Sequence, residues 1–279
     1  MVGQAFKFGT DPWDPTHRFE TSWLLSPWVL FICRALISLY AFTTLLFVLA
    51  WQCARAVTGC EASRASFSYF TSLTYWGLAF YFLAAATHTF TYARSGVPLL
   101  DRLPRPLQAL HAAFYTTIIV YPIIVTVVYW ARLYSGSWFD EIYAGWSNVS
   151  QHALNSVFAF FELVVPRTDV PQPVHMLWLI LLLALYLALA YVTKADKGFY
   201  PYDFLNPKEQ GSLVAAYVFG IAVGCLVVFG IVWGFIWLRK YVTETKLGMT
   251  GKFSKKERAA DEVGHVEMAM TKPQEPSLA

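Results

Sequence analysis

The sequence predicts an all-α fold: a polytopic membrane bundle of six transmembrane helices with cytosolic termini. Three observations predict it. Of 279 residues, 57% are hydrophobic and 18% aromatic while 14% are charged, too apolar a balance for a soluble domain. The apolar residues fall into six runs, at 28–52, 67–90, 111–133, 148–166, 174–193 and 212–238. Each is long enough, or nearly so, for the about 20 helical residues that cross a hydrocarbon core. If the termini share a side, that side collects Arg94, Arg102, Arg105, Arg167 and the basic tail. The other side holds Arg55, Arg64, Lys194, Lys197 and Lys208, so the termini belong in the cytosol. The net charge of +3 comes largely from the tail, an orientation signal and a contact for anionic lipid that gives no ground for nucleic-acid binding.

Residues 1–27 lack the apolar core and small-residue end of a cleavable signal peptide, so the first span is its own insertion signal. Pro12, Pro15 and Pro27 oppose a long helix there, and Trp13, Trp23 and Trp28 suit the headgroup layer; the arm is expected to be interfacial. After the first span, Cys53 and Cys60 either form a local disulfide or stay free thiols, and their spacing fits both. Gly96, Pro98, Pro104 and Pro106 make 91–110 a cytosolic loop with about one turn of helix at most. The loop at 134–147 carries Asp140 and Glu141 among aromatics.

The fourth run is the shortest and most polar. Asn148, His152, Asn155, Ala159 and Glu162 recur at helical steps and form one polar or small stripe. An ionisable group at the bilayer centre costs about 2.5–3.5 kcal/mol on insertion scales, so the stripe is expected to face the bundle and line a cavity. The sequon at Asn148 abuts the span and is read as structural. By contrast, 176–190 is apolar on every face and is assigned to lipid contact. The aromatic loop at 194–211 suits a cover over the membrane mouth. In the last span Gly220, Gly224, Gly230 and Gly234 are assigned to close helix packing. The polar residues 241–279 are expected to be a disordered cytosolic tail, which leaves 28–240 as the transmembrane domain.

Thr71 near the start of the second span and His152 near the start of the fourth enter from the same side at similar depth. A threonine hydroxyl is inert until a base accepts its proton, and neutral His is the usual base. The plainer alternative is that Thr71 bonds its own helix and His152 pairs with Asn148 or a carbonyl.

The runs FSYFTSLTYW at 67–76, GWSNVSQHALNSVFAFFE at 145–162 and GFYPYDFLN at 198–206 resemble the androgen-induced and androgen-dependent family of integral membrane hydrolases. Order, spacing and the six-span layout are similar too. The resemblance implies a threonine hydrolase of fatty acid esters of hydroxy fatty acids. That family's Y-[LF]-T threonine falls on Thr71 and its G-W-x-N-x-x-x-H histidine on His152. Two positions depart from it: Val149 stands where better-known members often have another His, and Asp203 where Pro is expected. The second departure bears on loop shape and substrate choice.

Asn148, Asn155, Tyr75 and Tyr202 are assigned to substrate binding, with no metal and no cofactor. Arg34 and Glu162 are expected to form a buried structural pair. Asp203 is the candidate carboxylate for orienting the imidazole. Two alternatives stand beside the hydrolase. One is a lipid or small-solute transporter with Glu162 as proton carrier. The other is a zinc-dependent hydrolase built on His88, His111 and His175. The expected partners are the membrane and a lipid ester, and the expected location is the endoplasmic reticulum or plasma membrane.

Overall fold

The computed structural model describes residues 13–55, 59–136 and 138–270. Regular structure among them is helical, apart from an isolated antiparallel bridge between Ser22 and Pro166. Four helices are long and apolar enough to cross a membrane. They are α1 (Pro27–Arg55), α4 (Arg105–Val128, prolonged by a π turn to Leu133), α7 (His175–Lys197) and α9 (Leu213–Lys240, prolonged by a π turn to Lys246). A short α2 (Glu61–Ser66) follows α1, and the Cys53–Cys60 disulfide ties the end of α1 to the residue before α2. The second apolar run folds as α3 (Phe70–Ser95). The fourth is a broken helix: α5 (Ile142–Val149), a π turn (Ser150–Leu154), then α6 (Asn155–Val164). Both are more polar than the other four. α8 (Pro207–Gln210) precedes α9, and α10 (Lys255–Met270) closes the described chain.

α3 packs along α1, and α4 sits against α3, α6 and α9. The core gathers Leu78 and Phe82 of α3, Ile119 of α4 and Val232 and Ile236 of α9. Lipid is as apolar as these side chains, so packing and buried polar ties select the helix pairs more than the hydrophobic effect does. The strongest tie matches the expected pair. Arg34 of α1 meets Glu162 of α6 through two bonds of 2.8 Å, and its remaining donors reach the Phe19 carbonyl and the Thr89 hydroxyl, each at 2.6 Å. A second tie uses the main chain of Pro122 inside α4. Its carbonyl accepts from Asn155 Nδ2 at 3.3 Å and Ser156 Oγ at 2.9 Å, which locks α4 to α6.

Several expectations need correction. The N-terminal arm, in its described part, packs into the bundle instead of lying only on its surface: Thr21 and Ser22 are buried. Ser22 Oγ donates to the Val165 carbonyl at 2.6 Å and Trp23 Nε1 to that of Val164 at 2.7 Å. These carbonyls close α6 and lack intrahelical donors, so the arm serves as their cap. The tail is folded as far as Met270. Ser254 Oγ accepts from the Glu257 amide at 3.2 Å and starts α10, and the Glu257 carboxylate accepts from the Tyr92 hydroxyl at the end of α3. The Ser-x-x-Glu pattern at 254–257 is a capping-box signature in plain view. In the 91–110 loop a 3₁₀ turn spans Leu99–Arg102 and α4 begins at Arg105, six residues before the expected 111. A Cβ placed on any of the four glycines of α9 would meet nothing within 4 Å among the described residues, so none of them is required for a close helix approach within the chain.

Candidate active site

Thr71 is the second residue of α3. The first bond of that helix runs from the Leu73 amide to the Tyr69 carbonyl at 3.1 Å, so the amides of the three residues following Tyr69 have no i−4 carbonyl within the helix. The Thr71 amide donates to the phenol oxygen of Tyr202 at 3.4 Å, and that phenol also lies beside the hydroxyls of Thr71 and Tyr186. Tyr202 arrives from the aromatic segment between α7 and α8, stacked on Phe204 at 5.1 Å and edge-on to Tyr69 at 5.7 Å. Burial pushes its phenol above the usual range, so it is a hydrogen-bond donor throughout the neutral region.

His152 sits in the π turn, a geometry that recurs at functional positions. Its Nδ1 lies 3.0 Å from the Asn148 carbonyl. A carbonyl accepts only, so the neutral ring carries its proton on Nδ1 and keeps the Nε2 lone pair free. The imidazole stacks on Tyr129 with centroids 3.6 Å apart and planes 14° from parallel. The Tyr129 hydroxyl in turn donates to Asn148 Oδ1 at 2.7 Å. Asn148 thus fixes the imidazole twice, by its main chain and through Tyr129.

α3 packs against this π turn. Thr71, His152 and Tyr202 line one cavity of about 470 Å³, shared with Gln52, Ser72 and Gln151. Thr71 and Tyr202 also line a second cavity of about 270 Å³ that is almost wholly apolar and lies among α4, α7 and α9. Thr71 therefore lines both a cavity with some polar wall and one that is almost wholly apolar. No hydrogen bond joins Thr71 to His152; what they share is the lining of the larger cavity.

Of the residues assigned to substrate binding, Tyr202 reaches the cavities. Asn148 lies behind the imidazole as a positioning residue. Asn155 accepts from Thr126 Oγ1 at 3.0 Å in the α4–α6 tie and lines neither cavity. Tyr75 is buried in the core, its hydroxyl beside that of Thr44. The stripe expected to line a cavity does so at His152 and otherwise makes helix contacts. Asp203 is exposed, and the Asn148 carbonyl takes the orienting role. Glu162 is held on both oxygens by Arg34, which opposes a proton-carrier role. His88 and His111 rings approach to 5.0 Å, but His175 bonds the Thr116 hydroxyl at 2.6 Å. Among the described residues no group of three or more metal-capable side chains gathers. Tyr129 and Tyr186 were missed, although each is a phenol inside an apolar run, where a polar tip calls for a partner.

The arrangement defines a helical membrane protein with an alcohol, an oriented imidazole and a phenol at the junction of two cavities. The chain matches no protein-family model, no curated protein and no solved structure.

Proposed function

We propose that the protein is an intramembrane lipid ester hydrolase with six spans and cytosolic termini, which cleaves fatty acid esters of hydroxy fatty acids or similar acyl esters. The observation that carries this reading is that Thr71 and His152, from two helices distant in sequence, line one cavity together with Tyr202. α3 and the broken helix α5–α6 supply the second and fourth spans, their polar groups turned to neighbouring helices. The resemblance of the motifs around both residues supplies the substrate class.

In the reaction, His152 Nε2 takes the Thr71 hydroxyl proton as Oγ1 bonds to the ester carbonyl carbon. The carbonyl electron pair moves onto oxygen, and the Tyr202 phenol, polarised by the Thr71 amide, donates to that oxyanion. Collapse breaks the bond to the hydroxy-lipid, whose alkoxide receives the proton from His152. A water deprotonated by His152 then cleaves the acyl-threonine and restores the hydroxyl. No step asks for a metal or cofactor.

Thr71→Ala and His152→Ala are each expected to lower hydrolysis by about 10²-fold or more, since positioned acid–base help alone contributes roughly 10²–10⁴. Expression stays unchanged, and Thr71→Ala loses labelling by a fluorophosphonate probe. Substantial turnover in either variant overturns the assignment.

A further inference from the structure

The apolar cavity holds an asymmetry that points to its ligand. Its polar atoms, the hydroxyls of Thr71, Tyr186 and Tyr202, gather in one place, where the Tyr186 hydroxyl donates to the Ser68 carbonyl at 3.1 Å. From there the wall is hydrocarbon. Ile180, Leu183, Ala184 and Leu187 of α7 recur at helical spacing on one face, opposed by Val218 and Ala222 of α9. Tyr186 to Ile180 is six residues, so this wall runs about 9 Å along the bundle. Two lining residues also belong to the outer surface: Phe219 of α9 is 71% exposed, and Ala184 of α7 is exposed too. The cavity therefore has a mouth on the face that α7 and α9 turn to lipid.

We infer that this cavity is the acyl-chain site, and that a fatty acyl chain enters it sideways from the bilayer between α7 and α9 to bring its ester carbonyl to Thr71. This rests on the hydrolase reading above and adds the route and the residues that set chain preference. A ligand apolar along its length with one polar group at the end matches the cavity; a polar solute or headgroup does not, because along the wall it finds no partner for its polar atoms. The leaving hydroxy-lipid occupies the larger, more polar space beside His152. Ala184 and Ala222 are the small residues on facing walls, and a larger side chain at either closes the passage.

The test compares hydrolysis of p-nitrophenyl palmitate and p-nitrophenyl butyrate in mixed micelles. Ala184→Trp and Ala222→Phe are each expected to lower the palmitate-to-butyrate ratio at least tenfold. Leu185→Trp, on the exposed side of α7, leaves the ratio within twofold of the unsubstituted protein. A second readout needs no turnover: photolabelling by a diazirine-bearing palmitic acid marks α7 and α9 peptides, and Ala184→Trp abolishes the mark while Leu185→Trp keeps it. An unchanged ratio in both cavity variants, or labelling equal in Ala184→Trp and Leu185→Trp, overturns the inference. If the protein cleaves neither ester yet labels as described, the hydrolase reading fails and the acyl site stands.

Discussion

His152 shows how a residue acquires a role from its surroundings. An imidazole in a span has two competent nitrogens, and the main-chain carbonyl of Asn148 chooses between them by accepting from Nδ1. The stacked Tyr129 ring then limits rotation, so the free nitrogen keeps one direction. Glu20 is the opposite case. The residue is 1% exposed, and both carboxylate oxygens are without a hydrogen-bond partner among the described residues. Burial, reinforced by Asp14 and opposed by Arg34, raises its pKa well above 4.5. The folded state therefore holds this proton more tightly than the unfolded chain. The stabilising contribution is complete below pH 4.5 and is lost as pH rises toward the folded value. Glu20→Gln keeps the neutral form at every pH. Its melting temperature at pH 8 is expected to rise by roughly 2–4 °C, the shift that about 1 kcal/mol produces in a large domain. The decline of stability between pH 5 and pH 8 should flatten; a lower melting temperature at pH 8 contradicts this account.

Among the elements, the helix pairs are chosen by polar ties. Arg34 and Glu162 join α1 to α6 through two bonds of 2.8 Å, one to each carboxylate oxygen. Removing one partner strands a buried charge. Glu162→Ala is expected to cost about 3–5 kcal/mol, whereas replacing both residues, Arg34→Met with Glu162→Leu, recovers most of the loss. Thermal unfolding in detergent separates the cases, and equal melting of the single and double variants would show that the pair carries no coupling. This tie was legible in the sequence because one cation and one anion in otherwise apolar spans have few alternatives. The π turn was not legible. Nothing in SQHAL distinguishes it from α-helix, and the turn is in contact with both α3 and α4, which are distant in sequence.

The molecule as a whole has one end that carries the described N-terminal arm and α10, and an opposite end that carries Thr71, His152 and the aromatic cover. The proposed arrangement of six spans with cytosolic termini predicts a specific topology. Glycosylation acceptors engineered into 134–147 and 198–210 should be modified in microsomes, while acceptors in 91–104 or after 246 should not. A mobility shift from the tail acceptor would reverse the orientation. The same layout explains why the arm and tail defied expectation. Both looked polar and irregular, yet at the termini end they complete each other: the Ser22 carbonyl accepts from the Lys252 amide at 3.1 Å, and Gly96, left-handed at the end of α3, seats against Ser254 and Glu257. Such contacts join segments more than 150 positions apart, and no local pattern encodes them.

Composition and periodicity determined the helical membrane class, the location of the apolar helices, the buried ion pair and the two residue types around which a site is built. Those properties are local or depend on scarcity, and a polar group in an apolar run announces itself. Tertiary structure decided which groups share a cavity, which nitrogen of His152 is free, that Tyr75 and Asn155 belong to packing, and that one face of α7 borders a space. α7 is apolar all round, so no periodicity marks its inward face. Only the neighbours that press on a helix determine which of its equivalent sides is wall and which is lipid contact.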